Sequence, residues 1–234
     1  MADSRYIAIE GPIGAGKSTL ARILAERSGA RLVVESDEEN PFLERFYANE
    51  RLHAFQTQLF YLLSRYQQQT TLKQGELFSR GIVTDYLFAK DRIFAALTLD
   101  EQEFRLYDRI YATLDTQLPR PDLVVYLTAR PDVLLSRVQK RGRKAGNRLR
   151  AGYLEEVGQA FNQFFFHYTE TPLLVVNTSD IDFVSDERDR DQLLKEIERS
   201  KSGVHHYIPL GQPRLKLEAQ VDPAAPPTTK RKKT

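Results

Sequence analysis

Short apolar runs alternate along the chain with longer segments in which apolar residues recur every three or four positions. The short runs have the length of buried strands and lie at residues 6–9, 32–34, 82–84, 123–127 and 173–176. The longer segments are typical of amphipathic helices and cover residues 17–28, 55–72, 101–115, 132–140, 153–168 and 186–199. This alternation favours strands in parallel with helices packed against them. We therefore predict an α/β fold with a five-stranded parallel sheet and helices on both faces.

Composition places the chain among globular proteins. Of its 234 residues, 41% are hydrophobic and 28% are charged, which are ordinary values for a folded domain. No apolar run approaches the roughly 20 residues that a membrane-spanning helix needs, and the first strand follows Met1 too closely for a signal peptide. Cysteine is absent, which excludes disulfides, a thiolate nucleophile and a cysteine zinc site. We expect a cytoplasmic protein without a membrane partner.

The formal charge of +2 is unevenly distributed. Residues 219–234 hold four cations against Asp222 alone and contribute +3, which leaves −1 for residues 1–218. The C-terminal segment is rich in proline and has few apolar residues to bury, so we expect residues 211–234 to be a disordered tail. Four charges give only weak, salt-sensitive binding to nucleic acid. We therefore expect one domain over residues 1–210 and favour a solvated tail over a nucleic-acid partner.

A glycine-rich turn follows the first strand directly and leads into the first helix. It consists of Gly11, Pro12, Ile13, Gly14, Ala15, Gly16, Lys17 and Ser18, followed by Thr19. This pattern in this context is typical of a phosphate-binding loop, because glycines allow backbone N–H groups to approach phosphate oxygens at a helix N-terminus. Lys17 adds a charge near the outer phosphates, and the Ser18 hydroxyl is a ligand for Mg²⁺. The alternative is a glycine-rich turn that binds nothing.

Acidic residues follow the second apolar run. That strand ends at Glu35, and Asp37, Glu38 and Glu39 come next. A kinase whose acceptor is a neutral hydroxyl needs a carboxylate for the hydroxyl proton, whereas four carboxylates would repel an acceptor that already carries a phosphate. We interpret Glu35 as a catalytic base and the other three as a solvated loop. An enzyme similar to thymidylate kinase, which shares the phosphate-binding loop and the fold but takes a phosphorylated acceptor, is therefore the disfavoured alternative.

A cluster of cations without an acid lies between residues 137 and 150. Its members are Arg137, Lys140, Arg141, Arg143, Lys144, Arg148 and Arg150. Arginines that close over a transferring phosphoryl group stabilise the negative charge that spreads over its oxygens. We predict an arginine-rich lid over about 137–150 in which Arg137, Arg141 and Arg143 are catalytic. A solvated basic helix end is the alternative.

These motifs, in this order, resemble the deoxynucleoside kinase family from about residue 5 to about residue 200. Besides the loop, Glu35 and the lid, the resemblance depends on Asn40-Pro41-Phe42-Leu43, Phe46-Tyr47, Gln58, Arg65, Asp85-Tyr86, Asp91 and Asp182-Phe183. It implies a P-loop kinase fold, a homodimer formed through the long helix, and transfer of phosphate from ATP to the 5′-hydroxyl of a deoxynucleoside in nucleotide salvage. The Asp85-Tyr86 pair is similar to that of bacterial members that act on deoxyadenosine or deoxyguanosine. A deoxycytidine-directed or broad-specificity enzyme stays open.

The resemblance also implies a role for each of these residues. Gln58 and Arg65, seven positions apart on one helix face, would read the base, and Asp91 would pair with Arg65. The remaining roles are contact with the sugar 3′-hydroxyl by Tyr47, contact with the base by Phe94, binding of Mg²⁺ by Ser18 and Asp85, and binding of the adenine of ATP by Asp182 and Phe183. A solvated Gln58 and a purely structural Arg65–Asp91 ion pair are the alternatives.

Two positions depart from the family pattern. Tyr86 stands where many members have an arginine, which leaves open how Glu35 and the 5′-hydroxyl are oriented. Residues 144–147 contain no carboxylate where many members have a glutamate near the 3′-hydroxyl, so sugar recognition would depend more on Tyr47.

Two other classes of nucleotide-binding protein are disfavoured. The chain has no Asn-Lys-x-Asp guanine-reading motif, which disfavours a GTPase. A non-catalytic nucleotide-binding module would not need Glu35 together with the lid.

Overall fold

The computed structural model of the chain describes residues 5–35, 40–72, 81–140 and 151–209. Three predictions lie outside these residues. They are the lid arginines Arg141 and Arg143, the solvated acidic loop of Asp37, Glu38 and Glu39, and the disordered tail over residues 211–234.

The described part of the chain contains six strands and eight helices. The strands are β1 (Arg5–Glu10), β2 (Arg31–Val33), β3 (Gly81–Thr84), β4 (Leu123–Thr128), β5 (Leu173–Asn177) and β6 (Val204–Tyr207). The helices are α1 (Lys17–Ser28), α2 (Leu43–Ala48), α3 (Glu50–Thr70), α4 (Lys90–Thr98), α5 (Glu101–Asp115), α6 (Pro131–Lys140), α7 (Ala151–Phe166) and α8 (Glu187–Arg199).

All six strands pair in parallel and form one sheet in the order β2-β3-β1-β4-β5-β6. The chain first builds the half of the sheet on one side of β1 and then crosses to β4 on the other side. In open parallel sheets, ligands bind beyond the carboxyl ends of the strands at such a switch point. The glycine-rich loop after β1 occupies this position.

The predicted number of five strands was wrong, because the sheet has a sixth strand at its edge. β6 pairs with β5, with Val204 opposite Leu173 and Tyr207 opposite Val176. Its sequence is Val-His-His-Tyr, and its first three side chains are exposed. An edge strand that buries so little surface lacks the apolar run or strict alternation by which a strand is recognised.

The six predicted helices are present, α1 and α5 with the predicted ends and the others with shifted ends, and α4 was not anticipated. The long helix α3 begins at Glu50 rather than at residue 55, because the Asn49 side chain accepts the N–H of Leu52 at 3.3 Å and caps the helix there. The first turn of α3 is exposed and mostly polar, and its single leucine, Leu52, makes no apolar pattern. By contrast, α5 begins and ends where predicted, and Asp100 and Glu103 form a reciprocal capping box at its start.

Apolar side chains form two clusters on opposite faces of the sheet. Successive residues of β1 alternate between them, with Tyr6 and Ala8 in the first cluster and Ile7 and Ile9 in the second. The first cluster also contains residues of α3, α4, α5 and α7, and the second contains residues of α1, α6 and α8. Helices therefore cover both faces, as predicted. None of the helices in the described ranges combines the length and apolarity of a membrane span.

Candidate active site

The loop between β1 and α1 depends on its glycines for both conformation and space. Gly16 has φ of 103°, a left-handed conformation in which side chains are strained, and a Cβ placed there would lie 2.7 Å from Cζ of Phe183. Gly11 has φ of 152°, and a Cβ there would lie 2.2 Å from the carbonyl oxygen of Leu127. The loop is therefore closely packed between the ends of β4 and the β5–α8 connection.

The Lys17 side chain folds back over this loop. Its Nζ donates to the carbonyl oxygens of Gly11 at 2.7 Å and Pro12 at 3.4 Å. Burial lowers the pKa of Lys17, and the carboxylate of Glu10 acts in the opposite direction. Ser18 and Thr19 follow in the first turn of α1, where Ser18 is partly exposed. The ammonium of Lys17 is thus held against the carbonyl groups of the loop, and Ser18 follows it directly at the start of α1.

Glu35 lies two residues beyond β2 and is held on both carboxylate oxygens. Oε1 accepts hydrogen bonds from Nε and Nη2 of Arg65, and Oε2 accepts one from Nζ of Lys90 at 2.5 Å. The backbone N–H of Glu35 donates to Oδ1 of Asp85 at 2.7 Å. Burial acts to raise the pKa of Glu35, but Lys90 and Arg65 outweigh it and lower the pKa to about 2. Glu35 is therefore an ionised, fixed carboxylate at the carboxyl edge of the sheet.

Arg65 also pairs with Asp91, so the ion pair that the sequence suggested is present. Nη1 of Arg65 donates to Oδ1 of Asp91, and both residues are buried between α3 and α4. Full burial raises the pKa of Asp91, while the guanidinium of Arg65 opposes the shift. Oδ2 of Asp91 has no hydrogen-bond partner among the described residues. This buried guanidinium thus bridges Glu35 at the sheet edge and Asp91 on α4.

Gln58 and Arg65 lie on the buried face of α3, which we call the α3 wall of the site. Nε2 of Gln58 donates to Oγ1 of Thr98 at 3.0 Å, which fixes the amide against the end of α4. Phe94 lies on the facing helix with its ring edge-on to Phe161 at a centroid distance of 5.9 Å. The amide, the guanidinium and the aromatic ring are therefore held by α3 and α4 together.

Two tyrosines of the predicted site differ in their surroundings. Tyr86 is fully buried in the first apolar cluster, and its hydroxyl has no hydrogen-bond partner among the described residues. Tyr47 lies on α2, is 65% exposed, and packs its ring edge-on to Phe46. The structure therefore places Tyr86 in the core and Tyr47 on the exposed surface of α2.

A cleft of about 910 Å³ lies on the other side of the glycine-rich loop. Its walls are residues 14–16 of the loop, the outer part of α6 and residues 179–185 after β5. Arg137 projects from α6 and donates to Oγ1 of Thr178 at 2.9 Å and to the Thr178 carbonyl oxygen at 2.7 Å. Oδ1 of Asp182 accepts the N–H of Ser185 at 3.0 Å, and Phe183 is buried against Gly16. The structure thus brings Arg137, Asp182, Phe183 and the loop to one cleft.

Sequence reasoning missed Glu10, Lys90 and Thr98. Glu10 is buried at the end of β1, and its two oxygens accept the N–H groups of Gly11 and Leu87, each at 2.8 Å. Burial raises the pKa of Glu10, with Lys90 and Lys17 opposing. One sequence signal was available for Glu10, since a carboxylate ending an otherwise apolar strand before a phosphate-type loop is unusual in a buried position. The only sequence signal for Lys90 was its position directly before Asp91.

Known proteins resemble this chain over most of its length. The family model described as deoxynucleoside kinase matches residues 7–201. A deoxyguanosine kinase from Bacillus subtilis (strain 168) is 36% identical over 197 residues, which are 80% of this chain and 93% of that protein. A deoxyadenosine/deoxycytidine kinase from the same organism is 27% identical over 199 residues, covering 82% and 90%. The solved structure of deoxyadenosine kinase from M. mycoides with bound dATP has a TM-score of 0.69 at 25% identity, over 82% of this chain and 99% of that chain. The chain therefore belongs to the deoxynucleoside kinase family.

Proposed function

We propose that the protein transfers the γ-phosphate of ATP to the 5′-hydroxyl of a deoxynucleoside, with deoxyguanosine or deoxyadenosine favoured, in nucleotide salvage. The observation that carries this proposal is the position of Glu35. Its ionised carboxylate lies at the same edge of the sheet as the glycine-rich loop and is fixed by Arg65 and Lys90. A carboxylate so placed suits an uncharged hydroxyl as acceptor and opposes an acceptor that carries a phosphate.

The donor half of the site is the glycine-rich loop with the cleft beside it. We propose a P-loop kinase fold in which the loop and Lys17 hold the triphosphate, and the cleft between α6 and residues 179–185 takes the adenine. Asp182 and Phe183 both line this cleft, and the buried Phe183 ring also packs against Gly16 of the loop. Arg137 would act together with Arg141 and Arg143 as the lid that neutralises the transferring phosphoryl group. The domain would span residues 1–210, and residues 211–234 would form a disordered tail.

The reaction needs a proton acceptor at Glu35. The 5′-oxygen attacks the γ-phosphorus, the bond from that phosphorus to the bridging oxygen breaks, ADP leaves, and the hydroxyl proton passes to Glu35 and then to solvent. A carboxylate with a pKa of about 2 is a weak base, so it would orient the hydroxyl first and take the proton late, when bond formation has made the hydroxyl acidic. A loose phosphoryl-transfer transition state is compatible with such late transfer.

Mg²⁺ suits the oxygen groups at the mouth of the loop. Ser18 offers a partly exposed hydroxyl and Asp85 a carboxylate, one oxygen of which already accepts the Glu35 N–H. Among the described residues, no group of three or more His, Cys, Asp or Glu side chains could hold a metal ion. Mg²⁺ usually keeps several waters and uses one or two protein oxygens plus substrate phosphates, so this donor set fits. When bound, it would neutralise charge on the β- and γ-phosphates.

The acceptor half would be the wall formed by α3 and α4. Gln58 and Arg65 would read the base edge by hydrogen bonds, Phe94 would contact its ring face, and Tyr47 would reach the sugar 3′-hydroxyl. A purine is favoured because the deoxyguanosine kinase from Bacillus subtilis is 36% identical to this chain. A deoxycytidine-directed or broad-specificity enzyme is the second candidate, because the 27% identical relative from that organism is a deoxyadenosine/deoxycytidine kinase.

A homodimer through α3 and the neighbouring α5 is also proposed. These helices contact each other, and each carries an exposed leucine, Leu63 on α3 and Leu106 on α5. Burial of these apolar side chains against a second copy would stabilise association. Sedimentation should show one species with twice the mass of the 27.0 kDa chain. A species with the mass of one chain would contradict the dimer and leave the kinase proposal intact.

A competition assay tests the function. Purified protein is incubated with ATP, Mg²⁺ and equal concentrations of the four deoxynucleosides, and the products are separated by chromatography. We expect the 5′-monophosphates of deoxyguanosine and deoxyadenosine to form first. Formation of thymidine diphosphate from added thymidylate, with no product from any nucleoside, would contradict the proposal. ATP binding without transfer to any acceptor would contradict it as well.

A further inference from the structure

Lys90 is a buried cation in the site to which no sequence motif assigned a role. It is the first residue of α4, and it is 5% exposed. Its Nζ donates to Oε2 of Glu35 at 2.5 Å and lies 5.9 Å from the centre of the Tyr86 ring. A lysine ammonium is costly to bury unless it is paired. Its position against the carboxylate of Glu35 therefore points to a specific function.

The first two residues of α4 together control both oxygens of Glu35. Lys90 binds Oε2 directly, while Asp91 fixes Arg65, whose guanidinium binds Oε1. Glu35 itself lies beyond the end of β2, where its backbone N–H donates to Oδ1 of Asp85 at 2.7 Å. Without the ammonium, the carboxylate would have one charged partner instead of two and could rotate about its terminal bond. Lys90 is thus the group that limits the direction of Oε2.

Lys90 also lies between the donor and acceptor halves of the site. The negative charge of Glu10 attracts both Lys90 and Lys17. Oε1 of Glu10 also accepts a hydrogen bond from the N–H of Gly11, the first residue of the glycine-rich loop. The charged and titratable groups that surround Glu35 come from several elements and are Lys90, Arg65, Lys17, Asp85, Asp91, Tyr61 and Tyr86. Tyr86, which stands where many family members have an arginine, supplies no charge. The cation that faces Oε2 comes instead from Lys90.

We propose that Lys90 is a positioning residue for phosphoryl transfer, whose ammonium directs Oε2 of Glu35 toward the 5′-hydroxyl of the bound deoxynucleoside. This inference rests on the proposed function, because Lys90 acts through Glu35. Base recognition by Gln58 and Arg65 and triphosphate binding by the loop do not require Lys90. Its removal should therefore affect the chemical step more than the binding of either substrate.

The test compares the steady-state kinetics of Lys90→Met, Lys90→Arg, Glu35→Gln and the double variant Lys90→Met/Glu35→Gln. We expect Lys90→Met to lower kcat about 100-fold, as misplacement of a reacting group by about 1 Å can do. Both KM values should stay within about threefold, since uniform binding is retained. Lys90→Arg keeps a cation and should turn over at least about tenfold faster than Lys90→Met.

The double variant separates positioning from direct action. If Lys90 acts through Glu35, adding Lys90→Met to Glu35→Gln should lower kcat by no more than about twofold, because residues that act as a unit are not additive. A further loss of about 100-fold in that background would overturn the proposal, because Lys90 would then act independently of Glu35. Wild-type turnover in Lys90→Met, or no gain in Lys90→Arg over Lys90→Met, would overturn it too. Normal turnover in Glu35→Gln would instead contradict the proposed function itself.

Arg92→Met is the matched control. Arg92 lies on the same helix, but its guanidinium pairs with Asp108 at 2.7 Å, away from Glu35. Its kcat should match the wild type, whatever the effect on unfolding temperature. Thermal unfolding and ATP binding of every variant confirm that a low kcat does not come from loss of folding, and Lys90→Arg keeps the test informative if Lys90→Met does not fold.

Discussion

The carboxylate of Glu10 accepts the backbone N–H of Leu87 at 2.8 Å, which joins the end of β1 to the connection between β3 and α4. Its other oxygen accepts the N–H of Gly11 at 2.8 Å. One buried side chain therefore holds the start of the glycine-rich loop against the segment that carries Lys90 and Asp91. The donor and acceptor halves of the site share this anchor.

Glu10→Gln should destabilise the protein by about 1–3 kcal/mol, because an amide offers one oxygen to two buried N–H groups and leaves one unpaired. It also removes the negative charge that faces Lys17 and Lys90. The free energy of unfolding in urea measures the effect. Glu101→Gln is the control, since Glu101 is exposed at the start of α5 and should change stability by less than about 0.5 kcal/mol. Equal effects of the two substitutions would contradict the anchoring role.

Gly16→Ala should abolish tight ATP binding and destabilise the fold by about 1–3 kcal/mol, because the residue has a left-handed conformation and its new Cβ would collide with Phe183. Gly158→Ala is a matched control within α7, where an added Cβ meets no atom within 4 Å. It should stabilise the protein by up to about 1 kcal/mol through helix propensity. Calorimetric titration with ATP and urea unfolding distinguish the two variants, and wild-type ATP affinity in Gly16→Ala would refute the loop's assignment.

Asp91→Asn should cost about 3–5 kcal/mol of stability, because it breaks a buried ion pair and leaves Arg65 with one charged partner. The guanidinium of Arg65, which we propose reads the base, would then be held by Glu35 alone. In the folded fraction, KM for the deoxynucleoside should rise about tenfold or more while KM for ATP stays within about twofold. Equal increases in both KM values would argue against a base-side location for this pair.

Stability should fall in acid through Glu35. Burial acts to raise the pKa of Glu35, but Lys90 and Arg65 lower it from the ordinary value of 4.5 to about 2. A carboxyl group whose pKa is lower in the folded state stabilises the fold above its unfolded pKa, and this contribution is lost as pH falls toward the folded pKa. The difference in unfolding free energy between wild type and Glu35→Gln should therefore shrink between about pH 5 and pH 2. A difference that stays constant over this range would contradict the charged hydrogen bonds of Glu35.

Local sequence signals predicted most elements of the fold. Helix α5 was predicted with its correct ends from its recurring apolar positions, and the capping box of Asp100 and Glu103 fixes its start in the structure. The polar edge strand β6 was missed because its Val-His-His-Tyr sequence buries little surface and has no strand periodicity. The start of α3 was placed too late because its capped first turn is exposed and mostly polar. Elements were thus recognised where burial or capping leaves a pattern in consecutive residues.

The site was predictable only where residues form a local motif or a family resemblance. The seven-residue spacing of Gln58 and Arg65 on one helix face led to the buried wall of α3. Glu10 and Lys90 acquire their importance from partners 77 and 55 residues away, Leu87 and Glu35. Such partners become neighbours only when parallel strands bring their carboxyl ends to one edge of the sheet. No local pattern in the sequence records that proximity.

We propose that Glu35 accepts the proton of a neutral sugar hydroxyl during phosphoryl transfer. The most direct measurement is kcat of Glu35→Gln beside that of the wild type, at saturating ATP and saturating preferred deoxynucleoside. We predict a fall of about 100- to 10,000-fold, because the amide cannot take the proton, with ATP binding largely retained. Turnover by Glu35→Gln close to that of the wild type would show that Glu35 does not accept this proton.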